Sequence, residues 1–130
     1  MFLHILDKAE KTAFFNLAQQ MIVADGIVAD AEMAYLDRLY WEAGYIGNAP
    51  IADVDTEVDL SVFDDMRSRL VLGAELLIIS VVDGEYHSAE AEFANRIIDQ
   101  LGISAEQHAA ICHVAETAAD ALVSMRNLVG

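Results

Sequence analysis

Apolar residues fall at helical spacing along most of this chain. From Asp7 to Ala24 they occupy Ala13, Phe14, Leu17, Ala18, Met21 and Ile22, the recurrence that turns one wide face of a helix inward. Asp25-Gly26 ends this run, since glycine commonly stands just past a helix. Asp30 is placed to cap a second helix that has Met33, Leu36, Leu39 and Tyr40 inward and ends near Ala43-Gly44. Ser61 is placed to cap a third, running to Val82, with Phe63, Met66, Leu70, Leu77, Ile78 and Val81 inward. The nearly continuous apolar second half of that helix predicts a central position, buried on most sides. Asp83-Gly84 ends it, Ser88 caps a fourth helix through Leu101, and Gly102 stops the fourth. Ser104 with Gln107 three residues on is a capping-box start for a last helix or helix pair to about Leu128. Strand signals are nearly absent. The pattern predicts an all-α chain, a compact bundle of about five to seven helices.

Between the second and third helices the pattern breaks. Gly47, Asn48 and the only proline, Pro50, mark a loop. Asp53, Asp55, Glu57 and Asp59 then alternate with Val54, Thr56, Val58 and Leu60. With no second strand to pair with, this stretch reads as an acidic linker, extended or holding one short helix. A solvated loop is preferred over a docking patch for a basic partner.

The helical pattern repeats. Asp25-Gly26 through Glu32 returns as Asp83-Gly84 through Glu90. At the same offset Ala31 matches Ala89, Tyr35 matches Phe93, Arg38 matches Arg96, Leu39 matches Ile97, and Gly44 matches Gly102. Self-similarity at a fixed period is the signature of a repeated supersecondary unit. The whole chain therefore reads as one domain, with repeat 1 over 7–44, a linker over 45–60, repeat 2 over 61–102 and a C-terminal helical segment over 104–130.

The repeated unit keeps half of a calcium-loop pattern: glycine at position 6, an apolar residue at position 8 and glutamate at position 12. Positions 1 and 3, however, are Met21 and Val23 in one copy and Ile79 and Val81 in the other. None of these binds a cation, so neither copy is an EF-hand. Helix-terminal roles explain Gly26, Gly84, Glu32 and Glu90. They explain Asp25 and Asp83 less well, because an anion at a helix C-terminus faces the negative end of the dipole. Something positive is expected there, either Arg38 and Arg96 or a metal ion. If the two units pack about a pseudo-twofold axis, Asp25, Glu32, Asp83 and Glu90 form a candidate metal site. Hard oxygen ligands of this kind suit calcium, magnesium or manganese better than zinc.

Charge narrows the partners. There are 7 basic and 22 acidic residues, for a net charge of −15, which disfavours nucleic acid and anionic membrane surfaces and favours cations or basic protein surfaces. A hydrophobic fraction of 55% excludes a disordered chain. The one cysteine, Cys112, makes no internal disulfide and fits a reducing compartment. The apolar start is cut off by Asp7 and Lys8, so it does not read as a signal peptide. The stretch from Leu70 to Val82 contains Glu75 and falls short of the roughly 20 residues a membrane span needs. A cytoplasmic protein without direct membrane insertion is expected.

With Met21-Ile22-Val23-Ala24-Asp25-Gly26 through Glu32, and Ile78 through Asp83-Gly84 and Glu90, in view, the chain resembles the TerB-like family, named for tellurite resistance. The same module resembles the N-terminal region of a DnaJ-like membrane-anchored co-chaperone. The similarity spans roughly Asp7 to Leu101. It departs from the family's pattern at Ser88, where an acidic or prolyl residue is usual, and in the acidity of the linker. The resemblance implies a small all-helical domain whose acidic residues bind metal, at work in bacterial stress responses beside other such components. It does not imply catalysis or an organic cofactor.

Other groups carry less. His108 and Cys112 stand at i and i+4, a zinc-compatible spacing, but two ligands are too few, and a buried cysteine beside a surface histidine is the preferred reading. Cys112 and His113 point in different directions on a helix. Trp41 and Tyr45, close to Tyr40, form either an exposed aromatic patch or, by default, core packing. The expected function is a non-enzymatic module that binds a divalent cation and engages stress-response proteins or a basic surface. A structural or oligomerising module with no metal, including a homodimer, is the alternative. A metal-dependent hydrolase, which needs a base and an open coordination position, ranks behind both.

Overall fold

A computed structural model describes residues 2–24, 30–45, 57–82 and 88–130. Its five helices are α1 (Lys8–Ile22), α2 (Asp30–Glu42), α3 (Met66–Val81), α4 (Ser88–Gln100) and α5 (Ala105–Val129), with 3₁₀ turns at Leu3–Ile5 and Leu60–Val62. No strand occurs among the described residues. The all-α expectation holds. The alternating stretch from Asp53 to Thr56, the turn at Gly47, Asn48 and Pro50, and both Asp-Gly pairs lie outside the described residues.

Local chemistry sets the helix ends. Asp7 opens α1 as a capping box, its Oδ1 accepting Glu10 N–H at 2.8 Å while Glu10 Oε1 accepts Asp7 N–H at 2.8 Å. The expected Ser104–Gln107 capping box opens α5, which runs as one helix rather than a pair. At the end of α2, Gly44 takes φ +97°, a left-handed turn only glycine adopts freely. Gly44 N–H reaches Trp41 O at 3.0 Å and Tyr45 N–H reaches Tyr40 O at 3.2 Å, the bond pair of a Schellman motif. Tyr45 then stacks on Tyr40, ring centroids 4.7 Å apart.

The start of the third helix differs from expectation. Asp65, not Ser61, is its cap, accepting Ser68 N–H at 2.7 Å, and that bond holds the Asp65 carboxyl below its ordinary pKa. Ser61 sits inside the preceding 3₁₀ turn, and its own N–H donates to Asp59. Met66, expected inward, is consequently an exposed first-turn residue.

α3 packs on each of the other four helices and buries Leu72, Leu76 and Ile79 completely, at about 1.5–3 kcal/mol apiece. It is the central helix the apolar run predicts. Around it α1 pairs with α2 and α3 with α4, while α1 also packs on α4 and α3 on α2. The offset that carries Asp25 onto Asp83 also superposes the bounds of α2 on those of α4, and the cap Asp7 on the cap Asp65. α5 has no counterpart. It lies closest to α3, where Gly73 leaves room for it: a Cβ there would sit 2.9 Å from Ile111 Cδ1 and 3.2 Å from Ile98 Cγ1.

Gln19 is a local misfit. It is buried, yet neither its amide nitrogen nor its oxygen meets a hydrogen-bond partner among the described residues. The equivalent position of the second repeat holds Leu77, also buried. An orphaned buried polar group costs about 1–3 kcal/mol. Gln19→Leu should therefore stabilise the fold by about 1 kcal/mol, read as a higher urea midpoint with an unchanged slope. A lower midpoint would mean that the amide is satisfied in solution.

Candidate functional site

Glu32 and Glu90 each stand at the third position of a helix, α2 and α4, in the first turn where the dipole favours an anion. Both are buried, at 1% and 0% exposure. A first-turn glutamate that served only the dipole would have no need of burial, since taking a carboxylate out of water costs several kcal/mol. Glu10, the capping-box acid of α1, is buried too, at 5%, so Glu32 and Glu90 are two of three buried first-turn glutamates. Asp25 and Asp83 lie outside the described residues. Among the described residues, no three His, Cys, Asp or Glu side chains gather closely enough to hold a metal ion. Nor do α2 and α4 form a main packing pair there; each rests on α3.

A third buried carboxylate, Glu75, is set in the apolar half of α3 at 1% exposure. Its Oε1 accepts the backbone N–H of Phe2 at 3.0 Å, tying the N-terminal segment to the central helix. Tyr35 on α2 senses the same charge. Burial first, then Glu75 and Glu42, raise its hydroxyl pKa far above the ordinary value, with Arg38 acting weakly against them. The sequence pattern shows Glu75 only as an acid at an inward helical position, where the first repeat has Leu17.

The pairing of Arg38 and Arg96 with Asp25 and Asp83 falls outside the described residues. Arg38 lies over the Tyr35 ring at 5.9 Å and Arg96 over the Phe93 ring at 5.2 Å, matching cation–π contacts at matching positions. At the end of α3 a positive charge comes from Arg126 of α5, whose Nη2 donates to Val82 O at 2.9 Å. Lys11 does the same at the end of α2, donating to Ala43 O at 3.2 Å. Cations at helix C-termini complement the dipole. Sequence spacing picks out neither Arg126 nor Lys11.

The remaining candidates resolve simply. His108 Nε2 pairs with Asn95 Oδ1 at 2.8 Å. Cys112 is half-buried beside a groove of about 150 Å³ that Leu77, Ser80 and Asn95 also line. Burial, and then Glu116, push its thiol pKa up, the opposite of an activated nucleophile. Tyr40 and Tyr45 pack edge-on against Phe15 at 5.2 and 6.2 Å. Trp41 does not follow the core-packing default, being 73% exposed, because it sits one residue round the helix from Tyr40. Compared with protein families, curated proteins and solved structures, the chain matches none.

Two outcomes test this arrangement. Arg126→Met keeps the apolar stem but removes the bond to Val82 O, and should cost about 1 kcal/mol. Hydrogen exchange should quicken at the C-terminal turn of α3; unchanged exchange there would dismiss the cap. The Tyr35 hydroxyl stays protonated in the fold at a pH where the unfolded chain, with an ordinary pKa of about 10, releases its proton. Its contribution is thus complete below about pH 10 and fades as pH rises beyond it. Tyr35→Phe should flatten the alkaline fall of the unfolding free energy; an equal fall in both proteins would place its cause elsewhere.

Proposed function

We propose that this chain is a non-enzymatic, acidic helical module of TerB-like type, built on a duplicated helix–Asp-Gly loop–helix unit. Its paired Asp-Gly-x5-Glu loops bind a divalent cation through Asp25, Glu32, Asp83 and Glu90, and it serves as an interaction module in a stress response. The observation that carries this reading is the burial of Glu32 and Glu90 at equivalent positions. Carboxylates held out of water are stabilised by positive charge close by. A calcium, magnesium or manganese ion fits an all-oxygen set.

One observation favours the alternative, a structural module without metal. Glu10 occupies the same third helical position in α1, is also buried, and has its carboxylate engaged in a capping box. Glu32 and Glu90 would then serve α2 and α4 as first-turn caps of the backbone, without a full capping box, since Ala29 and His87 three residues before them supply no side-chain oxygen.

Thermal unfolding after chelation, repeated with calcium, magnesium, manganese or zinc, separates the two. Saturation at about a hundred times Kd should add roughly 2.7 kcal/mol, or about 8–13 °C, for one ion preferentially, and Asp25→Asn/Asp83→Asn should abolish the gain. A small rise common to all divalent ions and surviving the double substitution is screening of the net charge, and leaves the glutamates as caps.

A further inference from the structure

The two repeats treat equivalent helix faces differently. On α3, Leu70 and Ala74 flank Gly73 and pack against the core, and Ile111 of α5 closes on Gly73. Their equivalents on α1 are Thr12, Asn16 and Phe15, and there a cleft of about 230 Å³ stays open. Lys8, Thr12, Phe15 and Asn16 line it from α1, and Tyr40 and Tyr45 from the end of α2. A dry cavity of roughly 150 Å³ takes up benzene, so this cleft has room for one substituted ring.

The lining narrows the ligand further. Phe15 is buried and stands edge-on to both tyrosines, which stack on each other. A further ring extends such a cluster favourably, whereas rings already in contact leave no gap between them for an alkylammonium group. The one charged group in the lining is the Lys8 ammonium, which has no hydrogen-bond or ion-pair partner among the described residues. An unpaired cation is unexpected in a chain of 7 basic and 22 acidic residues. The helix start does not require one, since a lysine there opposes the dipole and the equivalent residue of α3 is Met66. Asp7 and Glu10, the acids nearest Lys8 in sequence, hold each other's backbone N–H and do not line the cleft. The Thr12 hydroxyl donates to Lys8 O. The Asn16 amide and the two phenols make no hydrogen bond to another described residue.

We infer that this cleft binds a small monocyclic aromatic carboxylate, its ring against Tyr40 and Tyr45 and its carboxylate at Lys8 and the Asn16 amide. The ammonium–carboxylate contact is charge-assisted, and ring burial adds the apolar part of the affinity. The net charge of −15 opposes an anion at long range. At physiological salt that opposition is screened over about 8 Å, while Lys8 acts at contact. The site uses none of Asp25, Glu32, Asp83 or Glu90 and does not depend on cation binding.

Titration of the full chain with benzoate, followed by nitrogen–proton NMR, tests this. Benzoate should shift the backbone signals of Thr12, Asn16 and Tyr45 and the Asn16 side-chain amide, with a Kd of about a millimolar or below. Acetate lacks the ring and benzylammonium carries the opposite charge, so neither should move these signals. Benzamide keeps the shape without the charge and should bind roughly fivefold or more weakly. Lys8→Met retains the apolar stem; it should weaken benzoate by the same factor and leave benzamide affinity and the melting temperature unchanged. Arg67→Met, which removes an exposed cation elsewhere, should leave benzoate binding intact. The inference is overturned by benzoate that leaves these signals unmoved at about ten times the expected Kd. Acetate that moves the same signals, benzamide or benzylammonium that binds as tightly as benzoate, or equal benzoate affinity in Lys8→Met overturns it too.

Discussion

The burial of α3 on nearly every side is the constraint that the rest of the fold satisfies. A helix with Leu72, Leu76 and Ile79 fully buried must be covered from several directions, and α1, α2, α4 and α5 each supply a wall. Close cover needs a gap in the surface of α3, and Gly73 provides it at the point where Ile111 arrives. The residue there costs helix propensity of about 1 kcal/mol, and a Cβ in its place would have to displace the side chains of Ile111 and Ile98. The same dry surroundings make Glu75 and Tyr35 consequential, since a charge inside them raises a neighbouring hydroxyl pKa that water would leave alone.

A second constraint is the scarcity of positive charge. With 7 basic side chains against 22 acids, pairing acids one by one is impossible. Two of its cations are placed where one charge meets several aligned dipoles. Lys11 and Arg126 close the ends of α2 and α3, and Arg69 holds Phe63 O before α3 begins. Surface ion pairs are worth little in comparison. Acids are likewise put at helix beginnings, as Asp7, Glu10 and Asp65 show.

Local rules are what the sequence exposes. Periodicity and caps place α1, α2, α4 and α5 to within about two residues, since each end is decided by neighbours a few positions away. The start of α3 escapes them because Phe63, fully buried, prolongs the helical pattern through a 3₁₀ turn. Arg126 reaches a carbonyl 44 positions away, and Lys11 one 32 positions away, and no local pattern encodes such distances. Glu32 and Glu90 are readable as first-turn acids, but their burial depends on which helices cover them. Trp41 and Tyr40 are adjacent in sequence and opposite in fate for the same reason.

Equivalent positions of the two repeats also explain why one half of the molecule ends in rings and the other accepts a fifth helix. Phe15, Tyr40 and Tyr45 correspond to Gly73, Ile98 and Ile103. In the first half, three aromatic rings meet one another at 4.7 to 6.2 Å between α1 and the end of α2. In the second half the equivalent space is cleared to glycine and isoleucine, and Ile111 of α5 enters it. The two repeats differ in side-chain size at the positions that face α5. The pairs that stayed alike, Glu32 with Glu90, Arg38 with Arg96 and Gly44 with Gly102, stand on or just past the helices that follow the Asp-Gly loops. That contrast sets the packing demands of a fifth helix, which explain the changes, apart from whatever the loops require, which packing against α5 does not explain.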